Sequence, residues 1–316
     1  MNPKILVTGS GGQIGTVLVE ALRSKYGQDQ VVASDLKESK AKGLFVKLDI
    51  TDQEALEKVI KEYEITQIYH LAALLSSKGE DNIHLTWNIN LLSYLKILEI
   101  AKSHGIKKIF FPSTIGIYGN STPKQLTPQY SSFEPETMYG ITKYTGELWN
   151  AYYNRKYDMD IRSIRYPGVI SYQSRPHGGT TDYAVDIFFE AKEKEHYVCY
   201  LKPDTALPMI YMPDLIDGTL QLMEAPKSDL NVKVSYNLSG FSLTPDILYQ
   251  EIKKHIPNFK IEYKPDHRQQ IAESWTESID DSHACKDWNW QPRFDIKSMT
   301  EDMLINIPET KRNKSS

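Results

Sequence analysis

The chain has 316 residues, of which 40% are hydrophobic and 25% are charged, and its formal net charge is −4 at neutral pH. This length and composition suit one large α/β unit or two smaller units with a substantial core. The slightly acidic balance argues against nucleic-acid binding, for which clustered Lys and Arg are usual. A basic run occurs only in the tail, from Lys311 to Lys314, and we interpret it as a frayed end.

The cysteine content and the first residues indicate the compartment. Cys199 and Cys285 are too sparse for a disulfide framework and have no metal-ligand spacing. We therefore expect no metal site and a reducing environment. The first four residues lead into a predicted strand, we recognise no signal or transit peptide, and no apolar run reaches about 18 residues. The sequence predicts a cytoplasmic protein without a membrane-spanning segment.

Short β-branched runs alternate with longer amphipathic stretches, which is the pattern of βαβ units around a parallel sheet. The predicted strands are Lys4–Val7, Gln30–Ala33, Phe45–Leu48, Gln67–Leu71, Lys108–Phe111 and Ile161–Tyr166. The predicted helices are Gln13–Tyr26, Asp52–Tyr63, Ile83–His104 and Met138–Tyr157. After Gly168 the regular alternation ends, although a strand–helix unit at Met209–Met223 and a short strand at Ser235–Leu238 follow.

From this order we predict an α/β fold with a Rossmann-type doubly wound parallel sheet and a smaller, discontinuous α/β cap domain. Residues 1–170 and 207–241 would form the nucleotide-binding domain. Residues 171–206 and 242–316 would form the cap.

A glycine loop follows the first predicted strand, with Gly9, Gly12 and Gly15 in a G-x-x-G-x-x-G spacing. The first glycine permits a tight turn, the second lets the backbone approach a pyrophosphate, and the third lets the helix pack on the sheet. The helix that begins at Gln13 and Ile14 offers free N–H groups and a positive dipole end to phosphates. Because this loop joins the first strand to a helix, it predicts dinucleotide binding rather than an ordinary turn.

Asp35 ends the second predicted strand, 20 residues after Gly15. A carboxylate at this place can accept hydrogen bonds from the adenosine ribose hydroxyls, and it would repel a 2′-phosphate. No Arg lies beside it, although Lys37 is two residues further on. The sequence therefore favours NAD over NADP, with a simple turn-capping Asp as the alternative.

The ends of the next two predicted strands also suit a cofactor. Asp49 and Ile50 end the third strand, where Asp49 could bond the adenine amino group or cap the helix that begins near Asp52. Small and apolar residues at the end of the fourth strand could let a flat cofactor lie against the backbone, or could serve packing alone. These residues are Leu71, Ala72 and Ala73.

Tyr139 and Lys143 lie four residues apart in the predicted helix Met138–Tyr157, so their side chains share one helix face. A free Tyr titrates at about pH 10, and a nearby ammonium group favours its phenolate. Tyr139 could then remove the proton of an alcohol while hydride leaves the same carbon, and it would act as the acid in reverse. The spacing alone is weak, because Tyr and Lys can share a solvated face by chance.

Hydroxyl side chains support the catalytic interpretation of this pair. Ser113 and Thr114 follow the fifth predicted strand, at the sheet edge where open α/β sheets bind ligands. A hydroxyl at this edge can orient the reacting alcohol oxygen and donate a hydrogen bond to a developing alkoxide.

Together these landmarks resemble the extended short-chain dehydrogenases/reductases, over essentially the whole chain. The landmarks are Thr8-Gly9-x-x-Gly12-x-x-Gly15, Asp35, Asp49-Ile50, Leu71-Ala72-Ala73, Asn90, Ser113-Thr114 with Tyr118-Gly119, Tyr139-x-x-x-Lys143 and Arg165-Tyr166-Pro167-Gly168. The resemblance implies that Tyr139 is the catalytic acid/base, that Lys143 also holds the nicotinamide ribose, and that Thr114 is the catalytic hydroxyl. It also implies cofactor contacts at Asn90, Tyr166 and Pro167.

Within that family, the second half is similar to the epimerase-like L-threonine 3-dehydrogenases. The similar stretches are Gly178–Ala184, Leu207–Asp214, Glu273–Ser282 and Asp287–Trp290, with Thr276 where the family pattern leads us to expect Pro. The resemblance implies NAD-dependent oxidation of the threonine β-hydroxyl to give 2-amino-3-oxobutyrate and NADH. It implies a substrate site at Ser76, Ser77, Thr114, Tyr139, Gly178, Gly179, Thr180, Thr181 and Trp275.

The chemistry of these residues is compatible with an amino-acid substrate. The loop Gly178–Thr181 can supply N–H and hydroxyl donors for a carboxylate, as can Ser76 and Ser77, and Trp275 could form an apolar lid. The alternatives are a mobile loop, a turn at the two serines, and a tryptophan that belongs to the core of the cap.

Two other functions stay open on the sequence. A nucleotide-sugar epimerase or dehydratase shares the fold and the Tyr/Lys pair, and Arg175, Arg268 and Arg293 could bind its diphosphate. A non-catalytic dinucleotide sensor is disfavoured, because such proteins commonly lose the Tyr or the Lys.

The resemblance also implies a homodimer in which the helices that carry Asn90 and Tyr139 pack across a twofold axis. The spacing of Leu91, Leu95 and Leu98 predicts a buried face. It does not decide whether that face packs on a second chain or on the sheet.

Overall fold

The computed structural model describes residues 2–38, 43–175 and 179–308, with the backbone alone for residues 76–78. The strands are β1 (Ile5–Thr8), β2 (Val31–Asp35), β3 (Phe45–Lys47), β4 (Gln67–His70), β5 (Lys108–Thr114), β6 (Asp160–Tyr166), β7 (Gly168–Ile170), β8 (His196–Cys199), β9 (Leu207–Tyr211), β10 (Tyr236–Asn237), β11 (Phe241–Leu243) and β12 (Lys260–Tyr263). The helices are α1 (Gln13–Tyr26), α2 (Gln53–Glu62), α3 (Ser76–Asp81), α4 (Ile83–Trp87), α5 (Ser93–Ser103), α6 (Met138–Tyr157), α7 (Tyr183–Lys194), α8 (Met212–Glu224), α9 (Pro245–His255), α10 (Arg268–Ser274), α11 (Ser282–Trp288) and α12 (Ile296–Asn306).

Seven strands form one parallel sheet in the order β10-β6-β5-β4-β1-β2-β3. Strands β1 and β4 are buried along their whole length, as expected for a parallel sheet that is covered by helices on both faces. Strands β2 and β3 lie on one side of β1, and β4 and the strands after it lie on the other side. The boundary between β1 and β4 is therefore a topological switch point, where open α/β sheets bind ligands. The predicted Rossmann-type sheet is confirmed.

The predicted elements of the first half agree with the structure apart from their ends and one long helix. Helices α1 and α6 have the predicted bounds, while β3 and β4 end before Asp49 and Leu71, so both residues lie in loops. The predicted helix Ile83–His104 is interrupted by a π-helical turn at Asn88–Leu92 between α4 and α5. Such turns widen a helix locally and are frequent near functional sites.

The second half adds smaller layers beside the sheet. Strands β7, β9 and β11 form a three-stranded sheet, and β8 pairs with β12. Helices α7, α9 and α12 pack on one another around a core that includes Phe188, Leu248 and Met303. No helix within the described residues is long and apolar enough to cross a membrane.

Candidate active site

The glycine loop between β1 and α1 has the tight geometry that its sequence predicts. Gly9 has a φ of 73°, and a Cβ at this residue would lie 2.5 Å from the Ala72 nitrogen. A Cβ at Gly15 would lie 2.2 Å from the carbonyl oxygen of Gly9. Because neither glycine has a side chain, the loop can fold tightly between β1 and the chain that follows β4.

The first turn of α1 presents a positive end to this loop. Its N-cap is Gly12, which supplies no side-chain cap, and the turn contains no acidic residue. The N–H groups at the start of a helix have no partner within the helix. With the helix dipole they form a place for an anionic pyrophosphate.

Two cavities meet at the glycine loop and form an elongated groove along the carboxyl edge of the sheet. The larger cavity of this groove, of about 280 Å³, extends from Gly12 and Gln13 to Tyr139 and Trp275. The other, of about 220 Å³, extends toward Asp35 and Asp49. The two share Gly9, Gly12, Leu71 and Ala73 in their linings.

The smaller cavity is lined by most of the residues that were predicted to hold the adenosine. An Asp35 carboxylate oxygen accepts a hydrogen bond from the Gly11 N–H at 3.0 Å, so this acid touches the glycine loop. Asp49 accepts from the Thr51 N–H at 2.9 Å. Helix α2 is capped by Asp52 instead, so the capping alternative for Asp49 is wrong. Ile50, Leu71, Ala72 and Ala73 complete this wall.

These features fit a bound dinucleotide. The buried Ser10 Oγ in the glycine loop has no hydrogen-bond partner among the described residues, which is unusual for a buried hydroxyl. The free N–H groups of α1 and the Asp35 carboxylate provide complementary contacts for phosphates and a ribose. Gly9, Gly12, Gln13, Ile14 and Gly15 are the residues that would hold the pyrophosphate.

The role of Asp35 can be tested through cofactor preference. We expect Asp35→Ser to lower kcat/KM for NAD about tenfold, because a hydrogen bond to a charged group contributes roughly 1.5–3 kcal/mol. The same change should raise kcat/KM for NADP, since the carboxylate no longer repels a 2′-phosphate. Steady-state rates with both cofactors measure the ratio. An unchanged ratio would show that Asp35 only orders the turn.

Tyr139 lies in the first turn of α6, and two side chains hold that turn in place. The Thr137 hydroxyl caps the helix by accepting from the Gly140 N–H at 3.1 Å. A Glu80 carboxylate oxygen, from α3, accepts from the Met138 N–H at 2.6 Å. Because caps of this kind satisfy N–H groups that are otherwise unpaired, the start of α6 has a defined position.

Lys143 is buried one turn after Tyr139. Its Nζ donates to the Pro112 carbonyl oxygen at 2.8 Å and lies 5.8 Å from the centre of the Tyr139 ring. Burial lowers the pKa of Lys143 to about 7. Burial also raises the pKa of Tyr139 to about 12, while the Thr114 hydroxyl acts in the opposite direction. Each charge alone is therefore disfavoured, whereas a phenolate and an ammonium formed together attract each other.

Thr114 ends β5 and lines the larger cavity beside Tyr139. Its Oγ1 accepts from the Gly116 N–H at 3.1 Å, and its hydroxyl is hydrogen-bonded with Tyr139. Ser113 also lines this cavity, but its hydroxyl donates to Glu147 at 2.5 Å. The geometry therefore favours Thr114 over Ser113 as the hydroxyl that faces a substrate.

A buried polar network behind this wall escaped the sequence analysis. Glu147 and Arg165 form an ion pair at 2.9 Å, with 0% and 1% of their side chains exposed. Arg165 also donates to the Gln129 carbonyl at 2.8 Å and to the Asn237 Oδ1 at 2.9 Å. The network joins α6, β6, β10 and the chain before α6. Arg165 was visible as a landmark, but its partners lie 18 to 72 residues away.

Four residues from the second half of the chain line the larger cavity opposite the sheet edge: Gly179, Thr180, Thr181 and Trp275. The Gly179 N–H donates to Asp182 at 2.6 Å, and the Tyr200 hydroxyl donates to the Gly179 carbonyl at 3.0 Å. Trp275 is 8% exposed and contributes both to this cavity and to the core around Phe188, Leu248 and Met303. Gly178 lies outside the described residues, as do the side chains of Ser76 and Ser77.

The remaining predicted cofactor residues are Tyr166, Pro167 and Asn90, and they differ in whether they line the groove. Tyr166 and Pro167 line the larger cavity. Asn90 is not among the described residues that line either cavity. In the π-helical turn, its amide oxygen accepts from the Leu74 N–H at 2.8 Å and its amide nitrogen donates to the Leu74 carbonyl at 3.0 Å. Asn90 therefore holds the chain after β4 against the groove.

A third cavity, of about 370 Å³, lies between the end of α6 and the start of β6. Its wall includes Asn154, Arg162, Leu230 and Tyr236. It lies at the amino end of β6, away from the carboxyl edge where the glycine loop and Tyr139 meet, so we do not assign the chemistry to it.

Comparison with known protein families agrees with this geometry. Residues 5–239 match the model of the NAD-dependent epimerase/dehydratase family. An uncharacterised epimerase/dehydratase of Staphylococcus haemolyticus is 43% identical, covering 98% of this chain and 99% of that protein. The mitochondrial L-threonine 3-dehydrogenase of Bos taurus is 42% identical, covering 95% of this chain and 82% of that protein.

Solved structures with the same fold include enzymes that act on threonine. The holo form of a GalE-like L-threonine dehydrogenase from Cupriavidus necator has a TM-score of 0.95 at 46% identity, covering 97% of this chain and 100% of that one. A monomeric L-threonine 3-dehydrogenase from a metagenome has a TM-score of 0.93 at 47% identity, covering 96% and 98%. The chain therefore belongs to the NAD-dependent epimerase/dehydratase family, within the extended short-chain dehydrogenases, and is an NAD-dependent oxidoreductase.

Proposed function

We propose that the protein is an L-threonine 3-dehydrogenase that oxidises the β-hydroxyl of L-threonine to give 2-amino-3-oxobutyrate. The observation that carries this proposal is that Tyr139, Thr114, Thr181 and Trp275 line one cavity, which also reaches the glycine loop. Its glycine-loop end suits the dinucleotide, and its other end brings polar and apolar side chains together as a small-molecule site does. The names of the similar enzymes support the same substrate.

In this proposal Tyr139 is the general base that removes the proton of the β-hydroxyl. The Thr114 hydroxyl donates to the reacting oxygen and holds it next to the phenol. Lys143 stabilises the phenolate through its charge and would hold the nicotinamide ribose. Bound NAD would accept the hydride that leaves the β-carbon.

The cap supplies the contacts that a small zwitterion needs. Thr180 and Thr181 carry hydroxyls at the cavity, and a carboxylate is held well by several such donors. Trp275 offers an apolar surface for the methyl group and excludes water. Ser76, Ser77, Gly178 and Gly179 stay part of the proposed substrate site by resemblance.

The arginines that a nucleotide-sugar epimerase could use are already paired. Arg175 forms ion pairs with Glu190 and Glu193, and Arg293 forms ion pairs with Asp214 and Asp217. Arg268 pairs with Asp266 at 2.6 Å. None of the three is among the described residues that line the larger cavity. A sugar diphosphate would therefore lack a free guanidinium at this end of the groove, which disfavours the epimerase alternative.

The experiment that tests the function follows NADH absorbance after L-threonine is added to the enzyme and NAD. We expect threonine-dependent NADH formation, with L-serine and UDP-galactose giving much lower rates. Epimerases return the hydride to their substrate and show no net reduction. Conversion of UDP-galactose without NADH formation, together with no rate on threonine, would replace the proposal with the epimerase alternative.

We further propose a homodimer, supported by an apolar surface on α4, the π-helical turn and α6. Ile83, Leu92, Leu148 and Tyr152 are exposed on these elements, and α4 and α6 are in contact. Leu95 and Leu98 instead pack in a core with sheet residues such as Ile68 and Ile109, and Leu91 is buried. A similar enzyme is described as monomeric, so the state of this chain needs measurement.

The dimer is tested by light scattering after size-exclusion chromatography. We expect Leu148→Glu to reduce the measured mass to that of one 36.3 kDa chain, because a charge at the centre of an apolar interface is not solvated. The matched control is Ile305→Glu on α12, since Ile305 is 79% exposed and lies on another surface. A wild-type mass of one chain would contradict the dimer.

We also propose a cytoplasmic location. Both cysteines of the chain, Cys199 and Cys285, are free thiols, which suits a reducing compartment. The Bos taurus relative is named as mitochondrial, so cell fractionation with an antibody to the protein is the deciding measurement.

A further inference from the structure

We infer that Lys124 is a positioning residue that holds Trp275 over the substrate end of the cavity. It lies in the chain between β5 and α6, and it is not among the described residues that line this cavity. Its effect on the reaction would therefore pass through the tryptophan. The inference rests on the proposed function for the identity of the substrate, but the contact itself does not.

All three N–H donors of the Lys124 ammonium bind carbonyl oxygens at the end of α10. Its Nζ donates to the carbonyl oxygens of Glu273, Ser274 and Trp275, at 3.0, 2.7 and 3.1 Å. An ammonium group has three donors, and all three are engaged. These carbonyls close α10, where the last turn has acceptors without helical partners and the dipole is negative. The lysine thus caps the helix that ends immediately before the lid residue.

The backbone of Lys124 is tied to the residues that follow Trp275. Its carbonyl oxygen accepts from the N–H groups of Glu277 and Ser278, at 2.7 and 3.1 Å. The Thr276 hydroxyl also donates to this oxygen at 2.9 Å and is hydrogen-bonded to the hydroxyl of Thr127. Thr276 is the residue at which the chain departs from the expected Pro, so its hydroxyl bonds are contacts that a Pro there could not make. The lid residue is therefore held on both sides.

The hydrogen bonds of Lys124 connect Trp275 with the chain between β5 and α6. The chain that carries Lys124 begins after Thr114 in β5 and ends at Tyr139 in α6. Trp275 lines the same cavity as both residues, although it belongs to the cap. A lid that is bonded to this chain keeps a fixed distance from the reacting groups. Without the ammonium, three carbonyls at the end of α10 lose their donors and the tryptophan loses its anchor.

The kinetic test uses Lys124→Met in the full-length enzyme with saturating NAD. We expect KM for the substrate alcohol to rise about tenfold, equivalent to about 1.4 kcal/mol, with KM for NAD changed less than twofold. Lys124→Arg should restore much of the loss, since it keeps a charged donor. The matched control is Lys202→Met, because Lys202 pairs with Glu273 on the same helix at the exposed surface. It should leave both KM values unchanged.

The spectroscopic test uses acrylamide quenching of tryptophan fluorescence and needs no substrate. Lys124→Met should increase quenching relative to wild type, whereas adding the same change to Trp275→Phe should not. If Lys124→Met does not fold, Lys124→Gln is measured instead, since it keeps two N–H donors. We then expect a smaller rise of KM for the substrate alcohol and a smaller increase in quenching. Unchanged quenching, or an equal rise of KM for both ligands, would overturn the inference. Absence of any threonine oxidation by the wild type would refute the proposed function, while quenching would still decide the role of Lys124.

Discussion

Tyr139→Phe is expected to lower the rate of threonine oxidation by about 10²–10⁴-fold, while NAD binding changes only a few-fold. The change removes the phenolic oxygen that takes the proton, and general acid–base catalysis contributes about this much to an enzymatic rate. The ring itself stays, so the packing against Gly116 is kept. Initial rates of NADH formation and the dissociation constant of NAD give the two quantities.

The matched control for this variant is Tyr144→Phe on the same helix. Tyr144 packs on the Phe133 ring, at 5.2 Å between ring centres, and is not among the described residues that line the cavity. Loss of its hydroxyl should leave the rate within a few-fold of the parent. If Tyr139→Phe retained the parental rate, Tyr139 would not be the base and the proposed mechanism would be wrong.

The parts of the site that could be predicted are those fixed by short-range spacing. A glycine loop between a first strand and a helix has local reasons for its glycines: Gly9 has a positive φ, and Gly15 lies against the Gly9 carbonyl. The four-residue spacing of Tyr139 and Lys143 places both on one face of a helix with the predicted bounds. The parallel sheet followed from the alternation of strands and helices, because each βαβ unit is a local pattern.

Contacts between distant segments could not be predicted in the same way. The ion pair of Glu147 and Arg165 depends on how α6 lies against β6. Lys124 reaches carbonyls about 150 residues further along the chain. The π-helical turn at Asn90 has no propensity signal, since the hydrophobic pattern of Ile83–His104 continues through it. Each of these features is set by tertiary packing, which local patterns do not encode.

Burial of Lys143 was also invisible in the sequence, and it has a large consequence for stability. The pKa of Lys143 is lowered from 10.5 to about 7 because burial removes the ammonium from water. A shift of this size corresponds to roughly 5 kcal/mol of unfavourable free energy in the charged form. The charged Lys143 therefore destabilises the folded protein at the position that the proposed chemistry requires.

Lys143→Met is therefore expected to abolish most activity and, at the same time, to stabilise the ligand-free protein. Met fills similar space without a charge. Loss of the hydrogen bond to the Pro112 carbonyl costs about 1–2 kcal/mol, so we expect a net gain of about 3 kcal/mol at pH 6. Chemical denaturation of both proteins without NAD gives the free energy of unfolding. A destabilised variant at this pH would contradict the assignment of Lys143 as a costly buried cation.

The pH dependence separates this explanation from a simple packing effect. Below about pH 7 the lysine is protonated in both the folded and the unfolded states, so the cost of its burial is fully present. Between pH 7 and about 10.5 the folded protein loses this proton while the unfolded chain keeps it, so the free energy of unfolding of the wild type rises with pH. Lys143→Met lacks this contribution. Its advantage should therefore be largest below pH 7 and decline toward pH 10.5, whereas a packing effect would be the same at every pH.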